Sequence, residues 1–133
     1  MISKDFLKQL QKLDLPSSQY AIYGSGVLAI RDIRKNRDLD IVVTDSLYKK
    51  LREKYPEVKE GNIKISDEIE VWSGKESRID NPEQVIARAE TIKGLKYITL
   101  DDLIVWKKKM SRPKDLKDIK LIMNYLGTHK NET

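Results

Sequence analysis

Arg37-Asp38-Leu39-Asp40-Ile41-Val42-Val43-Thr44 is the stretch on which the fold turns. Leu39 to Thr44 is a β-branched run that reads as a buried strand. Asp38 and Asp40 stand two apart where the strand begins, and residues at that spacing project from one face. At about 3.3 Å of rise per residue, their stems sit roughly 6.6 Å apart, where two carboxylates repel by on the order of 2 kcal/mol at an effective dielectric near 20. Either both aspartates lie in a solvated loop ahead of the strand, or a divalent cation between them reverses the sign. Oxygen ligands of this kind suit magnesium or manganese.

Immediately upstream, the short apolar run Tyr20-Ala21-Ile22-Tyr23 stops at Gly24 and reads as a second buried strand. Gly24-Ser25-Gly26 is then a turn into a short helix, Val27 to Ile30. Backbone N–H groups and a hydroxyl at a helix start make an anion site, and glycine lets a phosphate approach the backbone. The same residues also fit an ordinary strand-to-helix turn with Ser25 as N-cap. Downstream, Thr44 or Asp45 caps a helix to about Tyr55, before Pro56. Residues 62–66 and 69–73 read as two strands around the acidic turn Asp67-Glu68. Glu70 interrupts the second of them. It either faces solvent on a sheet edge or joins the two aspartates.

The remaining segments are mostly helical. Residues 2–13 place Phe6, Leu7, Leu10 and Leu13 on one side. A helix from Pro82 to about Glu90 and a short strand over Lys96 to Thr99 follow. Two closing helices, 101–110 and 113–126, separate at Arg112-Pro113, because a residue before proline disfavours the helical region. On the first of these, Leu100, Leu103, Ile104 and Met110 define an inward stripe with Lys107 in its middle. Lys107 therefore either snorkels from the core or reaches a buried anion. Lys109 points the opposite way. On the last helix, Leu116, Ile119, Met123 and Leu126 form the stripe, and Asp115 lies within its arc, where an acid in the first turn also favours the helix dipole.

The 133 residues suit one domain spanning 1–133, with a mixed sheet and flanking helices, α/β or α+β in class. Hydrophobic residues make up 39% and charged residues 35%, a balance that supports a modest core and excludes a disordered chain. Without cysteine there is neither a disulfide framework nor a thiolate metal site. No long apolar run exists, so a membrane span is not expected and a cytoplasmic location is. The net charge of +5 favours anionic partners. His129, the only histidine, lies in a polar tail, which argues against histidine acid–base catalysis.

Tyr23-Gly24-Ser25 followed by Asp38-Leu39-Asp40 resembles the Gly-Ser and Asp-x-Asp signature of the polymerase β-like nucleotidyltransferase superfamily. Leu103-Ile104-Val105-Trp106-Lys107, then Arg112-Pro113-Lys114-Asp115-Leu116-Lys117-Asp118, resembles the ending of its minimal and AbiEii-type members. These motifs span residues 20 to 126. The resemblance implies a mixed sheet flanked by helices, with a nucleoside triphosphate in a cleft. It implies magnesium or manganese on Asp38, Asp40 and Glu70, and phosphates on Gly24 and Ser25. Lys107 would approach the triphosphate, while Asp115 and Asp118 would brace basic groups nearby. The implied activity moves a nucleotide from an NTP to a hydroxyl acceptor by two-metal displacement. One departure is that the third acid is glutamate, where aspartate is usual. No segment is left to build a second core over a small acceptor, so the expected acceptor is macromolecular. An RNA end or a protein would meet the basic stretch Arg31, Arg34, Lys35 and Arg37. The alternative is a nucleotide-binding or antitoxin-like interaction module without turnover.

Overall fold

The computed structural model describes residues 4–36, 38–55 and 62–128, with side chains from Leu7 onward. Arg37, Pro56 and His129 lie outside the described residues, as does the side chain of Phe6. The chain runs α1 (Lys4–Leu13), β1 (Tyr20–Tyr23), α2 (Ser25–Ala29), β2 (Leu39–Val43), α3 (Asp45–Lys54), β3 (Ile63–Lys64) and β4 (Ile69–Ser73). It continues through α4 (Gly74–Ser77), α5 (Pro82–Ala87), β5 (Glu90–Ile92), β6 (Leu95–Tyr97), α6 (Leu100–Met110) and α7 (Pro113–Thr128). Among the described residues, the strands form one six-stranded sheet in the order β3-β4-β2-β1-β6-β5. β1/β6 and β2/β4 are parallel, and the other pairs are antiparallel. The chain is thus a mixed α/β protein, as its sequence pattern implies.

β1 and β2 occupy the middle of the sheet, which is why their sequences are nearly unbroken apolar runs rather than alternating ones. Ile22, Ile41, Val71 and Ile63 face one side in register. Short α2 lies against that side, since a Cβ on Gly26 would meet Ile22 and Leu39. On the other face the Tyr23 ring meets Trp106 of α6 edge-on, with centroids 5.2 Å apart. Helices therefore cover both faces. No helix among the described residues is long and apolar enough to cross a membrane.

Several elements differ from the sequence pattern. The helix beginning at Pro82 stops at Ala87, because Glu90–Ile92 pairs with Leu95–Tyr97 as a hairpin. Its two-residue loop, Lys93-Gly94, has both residues at positive φ, 50° and 85°. That is the backbone twist a tight hairpin requires. Residues 74–77 form an extra helical turn, whose N-cap Ser73 accepts a bond from the Glu76 N–H. The apolar stripe of α7 is also rotated. Leu116 and Met123 are exposed, and the buried positions are Asp115, Asp118 and Ile122. Two buried carboxylates, which must meet their cations, set that rotation.

Close packing at Gly26 leads to a test. A Cβ there would lie 2.8 Å from Ile22 Cγ2 and 2.9 Å from Leu39 Cδ2, whereas one on Gly127 meets nothing within 4 Å. Gly26→Ala is expected to destabilise the fold by about 1–3 kcal/mol through overpacking. Gly127→Ala should be neutral or stabilising by up to about 1 kcal/mol. Urea unfolding of the two variants measures the difference.

Candidate functional site

Strand register assembles the first half of the site. Tyr23 pairs with Asp40, Asp40 with Glu70, and Glu70 with Lys64. Directly opposed residues share a face, with Cβ atoms about 5 Å apart. These four side chains therefore form one row across β1, β2, β4 and β3. β4 lies inside the sheet, so Glu70 does not stand on a sheet edge. Its Oε2 accepts a 2.7 Å bond from Asn62 Nδ2, and Asp40 Oδ1 accepts one of 3.2 Å from Trp72 Nε1. Asp38 is exposed just ahead of β2, and its carbonyl accepts a bond from Asn36 Nδ2.

The electrostatics of the row follow from this crowding. Burial, then the negative charges of Glu70 and Asp38, push the Asp40 carboxyl up to about 6, against the Trp72 bond and Lys114. Burial, with Asp40 and Glu70, also raises the Tyr23 hydroxyl well above its ordinary range, so it stays protonated. Among the described residues, no group of three acidic or histidine side chains is drawn together closely enough to hold a metal ion.

Gly24 ends β1 beside this row. It is the N-cap of α2, at φ 71°, a backbone conformation that favours glycine, and no side chain caps that helix. Ser25 is thus the first helical residue, not the cap, and its hydroxyl does not close the helix end. A Cβ on Gly24 would sit 3.6 Å from Asp40 Oδ2, so the turn lies directly against the aspartate.

The second half of the site is an ion network. Lys107, only 3% exposed, donates to Asp115 Oδ1 at 3.2 Å and to Asp118 Oδ2 at 2.8 Å. Arg112 grips Asp115 through Nε and Nη2 at 2.6 and 3.1 Å, and Arg34 grips Asp118 through the same atoms at 2.7 and 3.0 Å. Burial pushes both carboxyls up, but the bonds from these cations outweigh it and hold both below the usual carboxylate range. Lys107 and Arg112 also stand over the Trp106 ring, each 5.5 Å from its centroid.

A cleft of about 570 Å³ joins the two halves. Asp38, Asp40, Gly24 and Ser25 line it together with Arg34, Lys35, Lys107, Arg112 and Lys114. Asp115 lies behind Lys107 and Arg112, while Glu70 adjoins through its register with Asp40. Arg34, Trp106, Arg112 and Lys114 are cleft residues to which the sequence reading gives no nucleotide-site role. The last three sit inside the quoted motifs, whereas Arg34 is one charge in the basic stretch. The basic stretch is divided: Arg34 and Lys35 face the cleft, but Arg31 pairs with Glu90 elsewhere. A larger groove, about 870 Å³, lies beside that pair, between the β5 edge, the start of α6 and the end of α7. Its Arg31–Glu90 and Arg88–Asp102 pairs already satisfy one another, and it holds none of the motif residues.

No protein-family model matches the chain, and none of the curated proteins compared with it matches either. The likeness to nucleotidyltransferases therefore rests on this chain's own residues.

Asp115 and Asp118 make the fold sensitive to acid. Their folded-state pKa values lie below the unfolded ones, so the stability they contribute is present above the ordinary carboxylate range, about pH 4. It is lost as pH falls below that. Asp40 acts oppositely: its raised pKa costs stability that develops as pH climbs from about 4 to about 6 and is constant above, a window next to that of Asp115 and Asp118. Lys107→Met, which leaves buried carboxylates short of a partner, should destabilise the fold at pH 7 by about 3–5 kcal/mol. In Asp115→Asn/Asp118→Asn the loss of stability below pH 4 should flatten. Urea midpoints from pH 2 to 7 test both, and a steep acid limb surviving in the double variant would contradict the assignment.

Proposed function

We propose that the chain binds a nucleoside triphosphate with magnesium or manganese and transfers its nucleotidyl group to a hydroxyl acceptor. A polymerase β-like fold and a nucleotidyltransferase family membership are part of this proposal. One observation carries it: a single cleft in which Asp38 and Asp40 face a group of lysines and arginines beside Gly24 and Ser25.

The donor set fits a divalent cation at Asp38 and Asp40. Both are hard oxygen donors, and the negative charge around Asp40 is what such a cation relieves. Glu70 adjoins as the third carboxylate, with Oε2 engaged by Asn62 and Oε1 without a partner among the described residues. The bound metal would neutralise triphosphate charge and lower the pKa of the acceptor hydroxyl. The chain's own residues do the rest by position and charge. The backbone N–H groups at Gly24 and Ser25, with the Ser25 hydroxyl, donate to the outer phosphates. Lys107 places its charge in the cleft wall, and Asp115 holds Arg112 beside it. The acceptor oxygen bonds to the α-phosphorus as the α–β bridging bond breaks, and pyrophosphate leaves. The acceptor proton passes to Glu70.

The acceptor is a macromolecule, an RNA end or a protein, meeting exposed Lys35 and Lys114 at the cleft mouth. A second reading is a binding module that holds the nucleotide without transfer, as in an antitoxin-like partner. The engagement of Glu70 by Asn62 favours it, because a carboxylate so held is less free to act as ligand or base.

Asp38→Asn/Asp40→Asn should remove metal-dependent NTP binding, a loss of about a hundredfold or more, while the domain stays folded. Calorimetry with each NTP, with and without magnesium, measures it, and undiminished binding would sink the site. Release of pyrophosphate with RNA, protein or small hydroxyl compounds then separates the two readings, since a binding module releases none.

A further inference from the structure

We propose that Arg34 and Arg112 form a two-guanidinium clamp for a polyphosphate chain, with Lys107, Asp115 and Asp118 as its internal frame. This deepens the reading of the cleft as a triphosphate site, and rests on it for the identity of the natural ligand.

Lys107 is the residue that sequence motifs single out for an anion, yet its ammonium is buried and already shared by two carboxylates. Reaching a phosphate would mean giving one of them up, and each is too buried to find water instead. The two arginines are differently placed. Their side chains are 35% and 38% exposed, while the carboxylates that hold them are 4% and 0% exposed. Each guanidinium is gripped along its Nε–Nη2 edge, a fork that fixes its plane and turns its remaining N–H groups away from the carboxylate. Nη1 of Arg112 has no partner among the described residues, whereas Nη1 of Arg34 donates at 2.9 Å to the Lys35 carbonyl, an exposed contact that a phosphate oxygen can replace.

The frame also sets spacing and charge. Lys107 bridges the two carboxylates through contacts of 2.8 and 3.2 Å, so the arginines they hold are neighbours, though they come from distant parts of the chain. One chain of linked phosphoryl groups can meet both. Three cations against two carboxylates leaves one positive charge in excess, which packing alone does not require. Arginine suits this role because its planar fork bonds a carboxylate on one edge and a phosphate on the other. Lys107, Asp115 and Asp118 act through the arginines and are positioning residues.

The probe is inorganic tripolyphosphate, titrated calorimetrically at fixed ionic strength in the presence of a chelator. Neither a nucleobase nor the Asp38–Asp40 metal site then contributes. The wild type is expected to bind, and Arg34→Gln and Arg112→Gln each to weaken binding by about tenfold to a hundredfold, the loss of one charge-assisted contact. Arg112→Lys, which keeps the charge and loses the fork, should also bind more weakly, and serves if the glutamine variant fails to fold. Exposed Lys120→Met should bind as the wild type does. Positioning has its own signature: once Asp118→Asn has loosened Arg34, Arg34→Gln should weaken binding much less than it does alone. Absence of tripolyphosphate binding to the wild type, arginine variants that bind undiminished, or fully additive effects would each overturn the clamp. If the clamp holds and metal-dependent NTP binding does not, the nucleotide reading alone fails.

Discussion

A carboxylate with almost no exposed surface must be paired or neutral, and Asp115 and Asp118 are both in that position. Their partners come from three places: Arg34 ahead of β2, Lys107 within α6 and Arg112 where α6 turns into α7. Satisfying these two groups fixes how α7 sits. Its apolar residues alone do not, since Leu116 and Met123 at one flank and Ile122 at another offer alternative rotations. Buried ion pairs often add little net stability compared with apolar residues of the same size. Here their consequence is orientation, because only one rotation of α7 brings both carboxylates to Lys107. The loop after α2 is tied down by the same contact, through Arg34.

Register in the central sheet is the second constraint, and hydrophobicity specifies it. Ile22, Ile41 and Val71 share one face, while Tyr23, Asp40 and Glu70 share the other. A one-residue slip of β2 would drive Asp40 in among the isoleucines and expose Ile41 in its place. The arrangement that best buries the apolar set therefore also lines up the carboxylates. Gly24 can turn beside Asp40 because glycine adopts the positive φ that the turn requires.

What was legible in the sequence follows from these two constraints. The central strands could be found from their unbroken apolar runs, and the Asp38–Asp40 pair from its spacing, since both are local patterns. The inward direction of Lys107 was also legible, because α6 has a regular stripe. The rotation of α7 was not: its obvious stripe is apolar, and the residues that decide it are acidic ones whose partners lie far away in sequence. β5 was hidden for a different reason. Its hairpin turns on Lys93-Gly94, a weaker signal than Asn-Gly or Asp-Gly, and Glu90 extends a plausible helical pattern. Arg34 was legible only as one charge in a basic run. Nothing local separates it from Arg31, whose partner is Glu90.

The charges of the cleft are kept apart. Were its cations arranged to neutralise Asp38 and Asp40, the Asp40 carboxyl would ionise easily, yet it is held up to about 6 even with Lys114 nearby. Arg34 and Arg112 instead give their strongest bonds to Asp118 and Asp115, on the other side of Lys107. Asp115 and Asp118 leave the Arg34, Lys107 and Arg112 group one positive charge in excess, and the crowded negative charge around Asp40 is a separate cost. A ligand that carries cation and anion together removes both costs at once. The cation answers the aspartates and the anion answers the guanidiniums. That pairing is the physical content of the metal–triphosphate proposal.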